Sequence, residues 1–184
     1  LSTAIMERAM LHIDNAYFIP AMVVTGQVCK TNNHPHTAFR GFGGPKGVVT
    51  IEGILEDIAH HLKLDPLAVR ERNVYQLGQT THYGQEIDDA VLPELFQTLR
   101  RDSKYAEWRK SVEQHNQSKH STLRGLSVTA VKFGISFTTR FLNQGNALIN
   151  IHQDGSIQVS TGATEMGQGV NTKTAQLVSE CFGI

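Results

Sequence analysis

Apolar residues recur at helical spacing through the first two thirds of the chain and alternate with polar ones in the last third, so the pattern itself divides the molecule. Ile5, Met6, Ala9 and Met10, with Glu7 and Arg8 between them, predict a helix over residues 1–12 that leaves Arg8 near its end. The β-branched run Val23-Val24-Thr25 and Val28 predicts a strand over 21–30, interrupted by Gly26, and a polar loop over 31–36 follows. Val48, Val49, Ile51, Ile54, Leu55, Ile58 and Leu62 form one amphipathic stripe, predicting a core-facing helix over 45–62. Asp65-Pro66 opens a shorter helix reaching about residue 75. Residues 76–90 lack periodicity and predict an irregular connection. A charged helix is predicted over 92–117, with Leu95, Phe96, Leu99, Tyr105, Trp108 and Val112 as its inner stripe.

The polar stretch 114–122 predicts a surface linker, placing a domain boundary between a first part, 1–117, and a second, 118–184. Beyond it the period changes to two. Residues 125–139 predict a long strand, 147–152 and 156–160 a hairpin around Asp154-Gly155, and 170–181 a closing helix. The fold class expected is α+β, with a helix-rich first part, a sheet-rich second part and no internal repeat.

Two glycine-rich turns punctuate this pattern, each ahead of a helix. The first is Thr37-Ala38-Phe39-Arg40-Gly41-Phe42-Gly43-Gly44-Pro45, which sets two aromatics and a cation among glycines that permit positive φ and close approach. The second is Gly162-Ala163-Thr164-Glu165-Met166-Gly167-Gln168-Gly169, which matches neither the P-loop nor the dinucleotide-binding glycine spacing. It offers backbone N–H groups, the Gln168 carboxamide and a helix N-terminus, which suit a phosphate and a polar ring, and a plain strand-to-helix connection is the alternative. A shared anionic cofactor would account for both turns. Phe39 and Phe42 read equally as core residues or as faces for a planar ligand. Phe137 and Thr138 lie on opposite faces of a regular strand, so only a bend at its end would bring both to one ligand.

Composition narrows the partners. With 17 basic and 17 acidic residues in 184, nothing overall favours nucleic acid or an anionic membrane surface. No run approaches the roughly 20 apolar residues of a spanning helix, so a soluble protein is expected. Cys29 and Cys181 are too few to bind a four-thiolate iron–sulfur cluster and predict reduced thiols in a cytoplasmic protein. A chain opening on Leu1 without a signal segment reads as an internal piece. Adjacent His60 and His61 point apart on a helix, and His34 and His36 lack supporting ligands, so no metal site is expected of them.

Several separated segments then resemble one family. Met6-Glu7-Arg8-Ala9, His12-Ile13-Asp14-Asn15-Ala16-Tyr17, residues 37–45, Val69-Arg70-Glu71-Arg72-Asn73, residues 132–138, Phe141-Leu142-Asn143-Gln144 and residues 164–169 occur in order over nearly the whole length. Together they resemble the molybdenum-cofactor-binding region of xanthine dehydrogenases, within the xanthine oxidase and aldehyde oxidase superfamily. The resemblance implies the end of one molybdopterin-binding domain over 1–117, including a substrate-pocket turn, and the start of a second over 118–184. It implies hydroxylation of hypoxanthine and xanthine to urate with water as oxygen source, molybdenum held through molybdopterin rather than by protein ligands, and electrons passing to Fe–S clusters and FAD elsewhere in a dimeric parent enzyme.

Carried over position by position, the resemblance makes Arg8 the catalytic residue that faces the purine and stabilises negative charge on its oxygen. Phe42 and Phe137 would sandwich the heterocycle, and Thr138 would offer its hydroxyl. Phe39 and Arg40, with Gly167 and Gln168, would contact the cofactor. Arg8 favours purines over aldehydes. An aldehyde oxidase or other N-heterocycle hydroxylase of the superfamily, or a noncatalytic assembly module, are the competing readings. Neither Glu7 nor Glu165 stands where the family places its general base, so the 184 residues alone are expected neither to retain the cofactor nor to turn over xanthine.

Overall fold

The computed structural model describes residues 1–34, 38–118 and 120–184, which fold as two compact units, Leu1–Gly134 and Ile135–Ile184. In the first, helix α1 (Ser2–Leu11) lies against α2 (Gly44–Leu62). Two glycines permit the contact. A Cβ on Gly43 would strike the Ile5 carbonyl oxygen, and one on Gly47 the Ala9 carbonyl oxygen, so neither position accepts a side chain without moving backbone. Gly43, at φ 102°, caps α2, and Pro45 follows in its first turn.

α2 buries Gly47, Ile51, Leu55 and Ala59 on one face. The predicted stripe is wider than this face, because Val49, Ile54, Ile58 and Leu62 are exposed. α3 (Pro66–Asn73) starts where Asp65 accepts hydrogen bonds from the Leu67 and Ala68 N–H groups at 2.8 and 3.2 Å, a side-chain cap. Tyr17, Ile51, Leu55, Ala59 and Val69 make one core cluster, and Ala16, Leu67, Val74, Phe96, Tyr105 and Ala130 make the other.

The helix expected over 92–117 is two helices, α4 (Leu92–Asp102) and α5 (Tyr105–Gln117). Lys104 adopts a left-handed backbone, φ 53°, and breaks the chain direction without glycine or proline. Phe96, Tyr105 and Val112 are buried as expected, whereas Leu95, Leu99 and Trp108 are exposed.

The strands expected over 21–30 and 125–139 do not form: both segments lack strand pairing. For the second, the partner is a side chain. Asn15, fully buried with φ 44°, donates from Nδ2 to the Ala130 carbonyl at 2.8 Å and accepts from the Lys132 N–H at 3.1 Å. Ala130 enters the core beside Leu67 and Phe96, and Leu126 and Val128 pack on the same cluster. The first compact unit extends to Gly134, beyond the linker expected over 114–122.

Beneath this clamp lies a charged network. Glu52 accepts from Tyr17 Oη at 2.6 Å, Asn15 Nδ2 at 2.9 Å and Arg70 Nε at 2.7 Å, while Arg70 also reaches Glu56 at 3.1 Å. Burial alone would lower the Arg70 pKa, but the two glutamates outweigh it and raise it.

In the second unit, β1 (Ala147–Ile151) pairs antiparallel with β2 (Ile157–Thr161), Ile149 opposite Val159. Asp154 Oδ1 accepts from the Ser156 N–H and hydroxyl at 3.0 and 2.7 Å, and Gly155 turns the chain at φ 81°. α6 (Val170–Phe182) follows the second glycine-rich turn. Six α-helices and one hairpin, among the described residues, make an α+β fold whose sheet is confined to this unit.

Candidate functional site

Arg8 sits in the last turn of α1 and is 5% exposed. Its Nη1 donates to the Gly134 carbonyl, and its guanidinium carbon lies 5.4 Å from the centre of the Phe133 ring, a cation–π contact. Burial lowers its pKa, yet an arginine stays protonated in proteins, so a charge with little water around it is fixed here. Phe133 also tilts against the His12 ring, centroids 5.0 Å apart, and a Cβ on Gly44 would come within 2.7 Å of Phe133 Cε2. The absence of a side chain at Gly44 therefore lets Phe133 span from Arg8 to the start of α2 and the first glycine-rich turn.

That turn is described from Ala38 onward; Thr37 lies outside the described residues, as does His36. Phe42 N–H donates to the Phe39 carbonyl at 2.8 Å and Gly44 N–H to the Gly41 carbonyl at 2.9 Å. Gly41, Phe42 and Gly43 have φ of 92°, 50° and 102°. Two are free to do so as glycines, but Phe42 is a bulky residue in a left-handed conformation, which is strain localised at one side chain. Neither phenylalanine belongs to the core, since Phe39 is 87% exposed and Phe42 only partly buried. Arg40 is exposed beside them.

In the second unit the chain bends at Ser136 and again after Phe137. Asn143 holds the bend from both sides: Oδ1 accepts from the Phe137 N–H at 2.6 Å and Nδ2 donates to the Phe137 carbonyl at 2.9 Å. Phe137 and Thr138 are both partly buried, and the segment that carries them is not a straight strand.

The second glycine-rich turn is built differently from the open anion cradle expected of it. Glu165 fills it. Its carboxylate accepts from the N–H groups of Gly167, Gly169 and Asn171 at 2.8, 3.0 and 3.2 Å, capping α6 from inside the turn. These donors, that of Asn171 foremost, hold the Glu165 carboxyl below the usual carboxylate range. The Gln168 side chain folds back, accepting from Met166 N–H at 2.6 Å and donating to the Thr164 carbonyl at 2.8 Å.

For an anionic pterin cofactor, the first turn fits: an exposed guanidinium and an exposed aromatic stand on a turn packed by backbone onto α1. The second offers no open cradle, because the Glu165 carboxylate engages its inner N–H groups and the Gln168 carboxamide is bonded within the turn. Residues that carry this geometry without having been singled out are His12, Phe133, Gly134, Asn143 and, as an internal cap, Glu165. For His12 the signal was its place four residues after Arg8, where it caps the end of α1.

Among the described residues no group of three or more His, Cys, Asp or Glu side chains could hold a metal ion, and no helix is long and apolar enough to cross a membrane. Cys29 and Cys181 are free and exposed.

Residues 1–74 match one family described as a molybdopterin cofactor-binding domain, and residues 98–184 match a second with the same description. The chain thus belongs to the molybdopterin cofactor-binding domains. Within that class its sequence sides with xanthine dehydrogenases. Over all 184 residues it is 44% identical to the xanthine dehydrogenase of Emericella nidulans, 44% to the xanthine dehydrogenase/oxidase of Rattus norvegicus and 41% to the xanthine dehydrogenase of Oryza sativa. It spans 13–14% of the length of these relatives, and is a fragment relative to them. Among solved structures, the aldehyde oxidoreductase of Desulfovibrio desulfuricans aligns with a TM-score of 0.62 at 25% identity, covering 86% of this chain and 17% of that one. The Desulfovibrio gigas aldehyde oxidoreductase, at TM-score 0.59 and 24% identity over 84% of this chain and 16% of that one, shares the fold.

Proposed function

We propose that this chain is part of the molybdenum-bearing catalytic portion of a xanthine dehydrogenase that hydroxylates hypoxanthine and xanthine to urate, with water as the oxygen source. The observation that carries this reading is the buried Arg8 guanidinium, held by Gly134 and Phe133 at the foot of the first glycine-rich turn. A preorganised cation in a poorly hydrated place stabilises charge developing on a substrate oxygen far better than one in water, and the oxygens of xanthine are such groups.

Phe42 and Phe137 would flank the flat heterocycle, with Thr138 offering its hydroxyl to a polar edge. Phe39 and Arg40 would face the cofactor from the first turn, and Gly167 and Gln168 from the second. The molybdenum cofactor, when bound, would supply the redox centre that accepts the two electrons of the hydroxylation. Those electrons would leave through Fe–S clusters and FAD in other parts of a dimeric, cytoplasmic parent. Glu165 is unsuited as the general base, because its carboxylate is engaged by three N–H donors and its pKa is lowered. The base is expected from a part of the parent other than these residues, and the 184 residues by themselves are expected to be inactive.

The test is Arg8→Ala in the intact parent, assayed with xanthine and with a simple aldehyde. Loss of one preorganised donor should cost about 10²–10³-fold in xanthine turnover while aldehyde oxidation persists. Unchanged xanthine turnover would remove the purine-oxygen role. The aldehyde arm also addresses the runner-up, an aldehyde-oxidising relative, which the aldehyde oxidoreductase folds bring to mind: such an enzyme would lose nothing selective for xanthine. Absence of molybdenum from the purified parent would instead point to a noncatalytic module.

A further inference from the structure

His12 touches the same two residues that Arg8 rests on. His12 is 4% exposed and is the C-cap residue of α1, four positions after Arg8. Nδ1 lies 2.8 Å from the Arg8 carbonyl oxygen, and Nε2 lies 3.0 Å from the Gly134 backbone nitrogen. A backbone N–H only donates, so Nε2 must present its lone pair and the proton must sit on Nδ1, where it is given to the Arg8 carbonyl. One neutral imidazole thereby fixes the backbone from which Arg8 springs and the residue that receives its guanidinium. Its face, against Phe133, sets the ring over which that guanidinium lies.

We infer that His12 is a positioning residue for Arg8: as the Nδ1–H tautomer it ties the last turn of α1 to Phe133 and Gly134 and so aims the guanidinium. The inference rests on the purine-oxygen role proposed for Arg8. The charged groups acting on the ring are Arg8 and Lys132, which oppose its protonation, and Asp14, which favours it; burial, the largest influence, keeps it neutral. Protonating Nε2 would set two donors against each other at Gly134 and release the tie.

In the intact parent, His12→Phe keeps an aromatic ring against Phe133 and deletes both hydrogen bonds, while His12→Gln restores an acceptor that can reach the Gly134 N–H. Steady-state kcat/KM is compared for xanthine and for a simple aldehyde that has no carbonyl oxygen besides the reacting one. His12→Phe should lower the xanthine value about ten-fold, leave the aldehyde value within about two-fold, and His12→Gln should recover part of the loss. Should the Phe variant fail to accumulate, the Gln variant is read in the same way, with a smaller but still xanthine-selective loss expected.

Parallel losses with both substrates, or no loss with either, would overturn the inference. Arg8→Ala separates its failure from that of the functional reading. If Arg8→Ala is xanthine-selective and the His12 variants are not, the positioning role alone falls. If Arg8→Ala is not selective, the role of Arg8 falls and takes this inference with it.

Discussion

Leu1–Gly134 and Ile135–Ile184 are held together by different physics. The first has two apolar clusters, with Leu67 at 1% exposure and Ala16, Tyr17 and Ala59 at 0%, and its polar groups are tied across long sequence distances by Asn15, Glu52 and Arg70. In the second, none of the described residues is buried. Its order comes from side chains that clamp nearby backbone: Asn143 on Phe137, Asn146 on Gly162, Asp154 on Ser156 and Glu165 on the start of α6. Leu148, Ile151 and Leu177 stay 60–69% exposed. A two-stranded hairpin is marginal by itself, and here only Ile157 and Val159 of β2 are half-buried, beside Ala175 and Val178 of α6, so the local clamps contribute much of the second unit's order while the first has a core of its own. Arg8 belongs to the unit with the core, and Phe137, Thr138 and Gln168 belong to the other.

Truncation in the two units should therefore differ most. Leu67→Ala removes a buried side chain and should cost about 2–5 kcal/mol, whereas Leu148→Ala in β1 should stay within about 0.5 kcal/mol, both read by chemical denaturation of the 184-residue chain. Equal costs would mean that the second unit has a hidden interior.

A narrower test lies within α2. Gly47→Ala would push a methyl into the Ala9 carbonyl and should destabilise by about 1–3 kcal/mol, as overpacking does. Gly53→Ala meets nothing within 4 Å and should stabilise by about 0.5–1 kcal/mol through helix propensity. If both act alike in thermal melts, the α1–α2 contact is not limited by backbone approach.

Acidification should act on each unit through a different group. The His12 pKa is lowered by burial from its ordinary 6.5, so the unfolded chain takes up a proton first. Its contribution to the stability of the first unit is complete above that ordinary value and falls as pH drops toward the folded one, a dependence that His12→Gln should reduce. In the second unit the lowered Glu165 pKa means that the turn keeps its cap above the ordinary carboxylate range and loses it only as pH falls through the folded value. Glu165→Gln should mimic that loss at neutral pH, and faster amide exchange at Gly167, Gly169 and Asn171 with little change in the first unit is the smallest effect expected. Unaltered exchange there would contradict the capping role.

Much of this contrast could be read from local signals. The Asp65-Pro66 start, the Asp154-Gly155 hairpin, the glycine entry to α2 and the last helix are each encoded within a few residues, and each is present. Long-range facts were not legible. Residues 125–139 alternate like a strand, but they pair with none, and Asn15, more than a hundred positions away in sequence, takes the Ala130 carbonyl and the Lys132 N–H. The break at Lys104 has no glycine or proline to announce it. Ile54, Ile58, Leu95, Leu99 and Trp108 have the spacing of core residues yet are exposed, and nothing in the chain's own periodicity separates the two outcomes. At the candidate site the motif marks Arg8 and the aromatics, while the link from His12 to Arg8 runs through Gly134, which bonds both and lies more than a hundred positions away in sequence.

The measurement that bears most directly on the whole account is a structure of the intact parent with xanthine bound. The Arg8 guanidinium should then stand at hydrogen-bond distance, about 3 Å, from a purine oxygen, with Phe42 and Phe137 on either side of the ring and His12 still joining Arg8 to Gly134. A purine seated away from Arg8, or one flanked by neither phenylalanine, would contradict it.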